Sequence, residues 1–299
     1  MSSCTKAYLF KDIYMNSKEN IIYQIYRPSP DLAHLVSYYF LYENSAATSR
    51  QEFALSDGNP GISFALQQPY TLLSADNTHL GFSQAFVCGA FTKGIYVNKS
   101  SFPQKMFGVK LMTDGLHSLL QLPLSGLREK PIWHLESLIG SRAAVLADRI
   151  IELPEISQKI YILESFLRKN MHICKKPERR FREAVMLIRQ SRGQLPIEQV
   201  AKRLSLNYKW LERKFIDYTG TTPKEFSRLV RFIYTYFHFK RTGITALLDI
   251  AIENGYYDQN HFIKDFKHFT GYTPTQLQQA PVYDLASIME PLNKINNGS

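Results

Sequence analysis

The sequence predicts two architectures in one chain: a mainly-β N-terminal barrel or sandwich with flanking helices, then an all-α tandem helix-turn-helix. Three observations predict it. Short β-branched and aromatic runs, punctuated by Gly, Pro and Asn, fill the first 113 residues. After Asp114 the apolar residues change to helical spacing. A segment around Phe215 recurs around Phe266. With 299 residues and 44% apolar side chains, the chain is multidomain, long enough for two domains with a core in each.

In chain order, Ile21–Tyr26, Val36–Tyr42, Ile62–Gln67, Ala85–Gly89 and Gly94–Val97 read as strands, separated by turns such as RPSPD, SDGNPG and SADNT. Lys105–Met112 alternates, placing Phe107, Val109 and Leu111 on one face. Such a set of short strands makes an antiparallel barrel or sandwich. Asp114 suits the N-cap of a helix on which Leu116, Leu119 and Leu120 share a face, and Pro123 stops it. Helical stretches follow at about 135–151 and 155–170. Their apolar residues (Leu138, Val145, Leu146, Ile150; Ile160, Leu163, Phe166, Leu167) form stripes that pack on the barrel, on each other or across a homodimer. Lys175-Lys176-Pro177-Glu178-Arg179-Arg180 reads as a basic linker. The units are therefore a β-rich domain at 1–134, a helical connector at 135–172, a helical module at 173–280 and a peripheral tail at 281–299.

The helical module is an internal duplication. Phe215, Gly220, Thr222 and Pro223 recur as Phe266, Gly271, Thr273 and Pro274 at an offset of 51, while Val200-Ala201 matches Ile250-Ala251 at 50. The second copy thus carries one extra residue in its turn. In the first copy, Ile197, Val200, Ala201 and Leu204 form the apolar face of a short helix. Leu206 plugs the turn and Asn207 caps a second helix at about 208–219, with Leu211, Phe215 and Tyr218 inward and Gly220 as its stop. In the second copy, Leu248, Ala251 and Ile252 are assigned to the core. Gly255 makes the turn, Asp258 caps the next helix, and Phe262, Phe266 and Phe269 face inward. Thr222-Pro223-Lys224-Glu225 and Thr273-Pro274-Thr275-Gln276 are capping boxes with proline at the first helical position. The first opens a long helix to about Lys240, roughly 25–27 Å at ~1.5 Å per residue. With its end loops, that length sets two recognition helices about one DNA turn (~34 Å) apart.

Charge points to the same module. Residues 1–171 carry 16 basic and 14 acidic side chains, whereas residues 172–280 carry 19 and 10, so nearly all of the +10 excess lies in the C-terminal third of the chain. That is the footprint of a polyanion-binding unit. Cys4, Cys88 and Cys174 lie far apart, with no metal-ligand or disulfide spacing, as in a reducing compartment. No signal-like segment and no run of ~20 apolar residues is present. Together these predict a cytoplasmic, nucleoid-associated protein without a membrane partner.

The run from Asp249 to Pro274, DIAIENGYYDQNHFIKDFKHFTGYTP, resembles the signature of AraC/XylS-family bacterial regulators. The first copy is similar but looser, and the resemblance covers about 100 residues. Tyr256 stands where phenylalanine is commoner. Ser56-Asp57-Gly58-Asn59-Pro60-Gly61-Ile62, Cys88-Gly89, Gly108-Val109-Lys110 and Leu119-Leu120-Gln121-Leu122-Pro123-Leu124 are similar to an uncharacterised sensor-like domain with a cupin-like β-barrel. The resemblance implies transcription regulation by binding double-stranded promoter DNA, with activation as the family's commoner mode. It further implies RNA polymerase as a partner of an activator, and an N-terminal domain that senses a small-molecule effector or mediates assembly.

Base-reading positions are expected on the outward face of each second helix: Tyr208, Lys209, Glu212 and Arg213, then Gln259, Asn260, Ile263 and Lys264. Arg and Lys suit guanine O6/N7, Asn and Gln suit adenine, Glu accepts from cytosine N4 and Ile meets a thymine methyl. Thr222, Lys224, Lys214 and Lys267 are candidates for phosphate contact.

A rival reading makes the N-terminal barrel a metal-dependent enzyme fused to a DNA-binding module. It needs two His and a carboxylate at one point, but His34, His79, His117 and His134 are scattered with no HxH pair. No catalytic Gly-x-Ser-x-Gly elbow or phosphate loop is present. The reading is therefore of no enzyme, no cofactor and no metal. Phe64, Phe86 and Tyr96 are interior aromatics that serve either to line an effector pocket or to fill the core.

Overall fold

The computed structural model describes residues 10–16, 20–45, 51–67, 72–74, 79–80, 84–89, 94–97, 103–128, 130, 132–171, 178–280 and 282–284. The basic linker through Pro177 and the tail beyond Asp284 lie outside them. The β-rich half contributes β1 (Phe10–Asn16), β2 (Ile21–Tyr26), β3 (Val36–Asn44), β4 (Gln51–Ala54), β5 (Gly61–Ala65), β6 (Leu72–Ser74), β7 (His79–Leu80), β8 (Ala85–Cys88), β9 (Ile95–Val97), β10 (Gln104–Leu111) and β11 (Ile132–His134). The larger sheet is antiparallel, ordered β1-β2-β3-β10-β5-β8-β11. A strand from the far end of the chain, β12 (Val282–Asp284), joins the smaller sheet, ordered β12-β4-β9-β6-β7. Both sheets are open, with β1 and β11 as the edges of the larger.

The alternation of β10 does what its spacing predicts. Phe107, Val109 and Leu111 are fully buried, with Phe64 of β5 stacked on Phe107 at 6.2 Å. This core is roofed by α1 (Gly115–Leu120), α2 (Leu135–Ile139), α3 (Arg142–Glu152) and α4 (Ile156–Met171), whose Leu146, Ile150, Ile160, Leu163 and Leu167 join the same apolar cluster. The connector helices thus pack within the chain. The first expected helix is broken at Gly140, where φ is +67°. Val145, expected in its stripe, is 60% exposed, because Ala143, Leu146, Ala147 and Ile150 make the buried face. Buried Glu164 ties α4 to the strands, accepting from the Ser29 amide (2.9 Å) and hydroxyl (2.6 Å) and from Tyr39 Oη (3.3 Å), with Arg168 beside it at 2.9 Å.

Asp114 does not cap α1. Its carboxylate turns instead to Arg182 on α5 (Arg179–Gln190), with N–O distances of 2.9–3.1 Å. A cap gains one backbone hydrogen bond, whereas a bidentate guanidinium satisfies both oxygens with opposite charge.

The helical half continues with α6 (Ile197–Arg203), α7 (Tyr208–Thr219), α8 (Pro223–Thr242), α9 (Leu247–Glu253), α10 (Gln259–Thr270) and α11 (Pro274–Gln279). The turn devices are those the sequence predicts. Asn207 accepts from the Trp210 amide and Asp258 from His261, while both capping boxes form in full. Gly220 and Gly271 end α7 and α10 in the left-handed conformation. The turn between the paired helices needs a positive φ in both copies. Ser205 supplies it in the first (φ +52°), and Gly255 supplies it in the second (φ +78°) without a Cβ penalty. Asp258→Ala is expected to cost about 1 kcal/mol, read as a lower urea midpoint at unchanged slope. An unchanged midpoint would remove the cap from the second copy's stabilising features.

In α9 the buried stripe is Leu247, Ile250 and Ala251, while Leu248 and Ile252 are each 53% exposed. The core assignment of those two is corrected. The helix begins at Leu247, so its inward face lies one residue off the expected frame.

The two halves share a core. Phe53, Leu55, Leu73 and Tyr96 from the β-rich half belong to one apolar cluster with Phe232, Tyr236, Phe239, Phe262, Phe266 and Phe269. Gly94 N–H donates to the Phe269 carbonyl at 2.6 Å, and Tyr96 Oη donates to the Thr270 carbonyl. β12, in the segment read as a peripheral tail, pairs in parallel with β4. The first copy is held separately by Arg182 on Asp114, by Arg128 on Glu225 (2.5 Å), and by His117 stacked on Tyr218 at 4.3 Å.

Candidate nucleic-acid interface

Two second helices carry the candidate surface. On α7, Leu211, Phe215 and Thr219 are buried, and helical spacing turns Lys209 and Arg213 to solvent while Tyr208 and Glu212 are half-buried. On α10, Phe262, Asp265, Phe266 and Phe269 are buried, leaving Asn260 and Lys264 exposed and Gln259 and Ile263 half-buried. All eight expected base-reading residues therefore lie outside the buried stripes. The 20 residues of α8 join the two units, about 30 Å at ~1.5 Å per residue. The first unit packs on its N-terminal half through Phe215 and Phe226 (5.4 Å between rings), the second farther along through Phe232 and Phe269 (4.4 Å).

The four expected phosphate contacts separate into two groups. Lys224 and Lys267 are exposed, and Lys224 lies 3.5 Å from Glu198 in a solvent-screened pair that constrains it little. Lys214 is turned inward: its ammonium donates to Tyr218 Oη at 2.8 Å, lies over the Trp210 and Tyr218 rings and sits 3.8 Å from Glu178. The Thr222 hydroxyl is occupied as the N-cap of α8, against the Glu225 amide and carboxylate. Burial would raise the Glu225 carboxyl's pKa, but the Thr222 amide and hydroxyl and the Arg128 guanidinium hold it below the usual range. One residue not foreseen is Tyr257, 88% exposed in the turn just before Asp258. An aromatic beside a cap, with no place in the apolar stripe, is the signal that marks it.

In the β-rich half, Phe64 and Phe86 are core side chains, and Tyr96 is committed to the helical half. His117 Nδ1 lies 2.9 Å from the Leu122 carbonyl, and His34 and His134 are exposed on separate elements. The His79 side chain lies outside the described residues. Among the described residues no three His, Cys, Asp or Glu side chains gather as a metal-ligand set, and no helix is long and apolar enough to cross a membrane.

Comparison with known proteins finds two separate matched stretches. Residues 200–280 match a helix-turn-helix domain family, and residues 24–133 match a domain of unknown function (DUF6597). The chain is 33% identical over 79 residues to the uncharacterized HTH-type transcriptional regulator YidL of Escherichia coli K12, covering 26% of each protein. It is 32% identical over 82 residues to the HTH-type transcriptional activator RhaS of Klebsiella pneumoniae, covering 27% of this chain and 29% of that one. The matched stretch thus spans under a third of these curated relatives. Among solved structures, ToxT of Vibrio cholerae O395 aligns with 80% of this chain and 95% of its own at 13% identity and a TM-score of 0.43. With its duplicated helix-turn-helix units, capped and spaced as described, the chain carries a helix-turn-helix domain at residues 200–280 behind a domain of unknown function, an organisation similar to that of AraC/XylS-family regulators.

Proposed function

We propose that the chain is a transcription regulator that reads promoter DNA with α7 and α10 in two successive major grooves on one side of the duplex. The observation that carries this reading is the pair of solvent-facing helix surfaces, Lys209/Arg213 and Asn260/Lys264, mounted on one 20-residue helix. Their residue types suit base edges, and the surrounding module holds the chain's positive excess. Lys224 and Lys267 supply phosphate contacts at the margins. The β-rich domain, packed against both units, serves as the effector-sensing or assembly half. RNA polymerase and a second copy of the chain are the partners this role calls for, and the bacterial cytoplasm is the place for it.

The test is selection of random duplexes by the full-length chain, followed by salt titration of the best site. The expected product is an asymmetric motif with two blocks about 10 base pairs apart, bound with log K falling against log salt. Failure to enrich any motif, with or without a metabolite mixture, would overturn sequence-specific reading. On the selected site, Lys264→Ala is expected to cost about 1–3 kcal/mol and to relax preference at one base position. Uniform weakening on all duplexes would instead assign Lys264 to phosphate.

A further inference from the structure

Resting on that reading, we propose that a buried polar lock centred on Asp265 makes the chain selective for the spacing between its two half-sites. Asp265 sits on α10, the second recognition helix, on the side away from the candidate DNA surface, and it is 1% exposed. Its carboxylate is held by α8: Arg228 Nε lies 2.8 Å from Oδ1, and an Arg231 terminal nitrogen lies 4.0 Å from Oδ2. The Arg231 guanidinium also lies over the Tyr256 ring, 4.6 Å from its centroid, in the turn that precedes α10. Burial and the Asp265 charge push the Tyr256 hydroxyl above its ordinary range, so it stays neutral beside the cluster.

The same stretch of α8 carries the first unit. The α5–α6 loop rests on it so closely that a Cβ at Gly193 would fall 2.2 Å from the Ser227 carbonyl oxygen and 2.8 Å from the Arg231 amide nitrogen. Ser227 Oγ donates to the Gly193 carbonyl at 3.1 Å. The next residue, Gln194, reaches the second unit's turn, where a Cβ on Gly255 would lie 3.0 Å from its Cγ. Asn254 of that turn is tied back to His238 of α8 at 2.9 Å. Both helix-turn-helix units therefore converge on one short stretch of α8 around Arg231.

The aromatic contacts on α8 supply adhesion, which is non-directional and tolerates rotation of one unit against the other. The charged hydrogen bond from Arg228 to Asp265 Oδ1 is directional, and turning α10 would leave a buried carboxylate with Arg228 displaced and Arg231 farther from it. The lock thus sets the angle between recognition helices where the apolar core does not. On DNA that angle is a spacing: one added base pair turns one half-site against the other by about 35° and moves it about 3.4 Å.

The experiment compares the full-length chain with Asp265→Asn, and with Arg228→Ala, which opens the lock from its more exposed side and tests the idea if the first variant folds poorly. Each is titrated with the selected duplex, with duplexes one base pair longer or shorter between the blocks, and with each block alone, and its melting is recorded. The wild-type chain is expected to prefer its own spacing by about tenfold or more. The variants should fall to about threefold or less while keeping their affinity for the single blocks. Unchanged spacing preference in a folded variant overturns the proposal, as does equal weakening on every duplex, which is the result of a merely structural role. Enrichment of no duplex by the wild-type chain overturns the DNA-reading function itself, and the lock's role with it.

Discussion

A fragment of residues 172–299 is expected to unfold far more readily than the intact chain, although it contains the whole tandem repeat. The second helix-turn-helix unit lacks a complete core of its own. Phe53, Leu55, Leu73 and Tyr96 close the cluster formed by Phe232, Tyr236, Phe239, Phe266 and Phe269, and all nine are buried. Phe53 lies 6.1 Å from the Tyr236 ring and 5.1 Å from that of Tyr96, which bridges to the end of α10. Cutting at the linker exposes one side of that cluster and removes β4, the strand on which β12 pairs. Within the full chain, Phe53→Ala deletes a fully buried ring, a change that costs about 3–5 kcal/mol. Against a typical total of about 5–15 kcal/mol, that is a large share. Urea unfolding followed by helical circular dichroism checks both effects. The fragment's midpoint should lie far below that of the chain, and Phe53→Ala should shift the helical signal although the residue lies in a strand. A fragment as stable as the chain, with a helical signal indifferent to Phe53→Ala, would show two independently folding halves.

That dependence explains where sequence reading succeeds and where it stops. The repeat is legible because capping and turn formation are local. Asn207, Asp258, Thr222 and Thr273 act within three residues of themselves, and each does as its position predicts. The strands are legible in place but not in company. Phe53 and Tyr96 show nothing of the helices across from them, and the four residues of β4 are too short and too polar a run to read as a strand. Asp114 has the right chemistry for a cap, but its partner Arg182 is 68 residues away. In α9, Leu247, Leu248, Ile250 and Ile252 are all apolar, so two faces compete and the helix's starting point decides between them. Within the candidate interface, periodicity separates outward from inward positions, as at Lys209 and Arg213. It does not show that Lys214 is drawn inward by Trp210, Tyr218 and Glu178, which depends on side-chain direction and on a neighbouring helix.

Asp57→Ala is expected to have an equally large effect, through the first unit rather than the second. The Ser56–Asn59 turn is buried between the larger sheet and α5. Lys110 Nζ lies 3.1 Å from the Asp57 carboxylate, the Asn59 amide donates to it at 3.0 Å, and Arg189 of α5 donates to the Asp57 carbonyl at 2.9 Å and to Asn59 Oδ1 at 3.1 Å. A Cβ on Gly58 would meet the Phe226 ring at 2.8 Å, so the turn sits directly on the first unit's core. Removing the carboxylate leaves Lys110 and Arg189 without their buried counter-charge, a loss of about 3–5 kcal/mol. Burial alone would raise the Asp57 carboxyl's pKa, but the Lys110 and Arg189 charges and the Asn59 amide bring it below the usual carboxylate range. A carboxyl depressed in the folded state stabilises fully above its unfolded value of about 3.9. That contribution is lost as pH falls through the lower folded value. Glu225 is shifted in the same direction and adds to the trend. Asp57→Asn should therefore be less stable than wild type at neutral pH, with the gap narrowing below about pH 4 as the wild-type carboxylate takes up its proton. Urea midpoints between pH 3 and pH 7 give the comparison. A gap that stays constant or widens on acidification would mean that the charge on Asp57 does not hold the β-rich domain to α5.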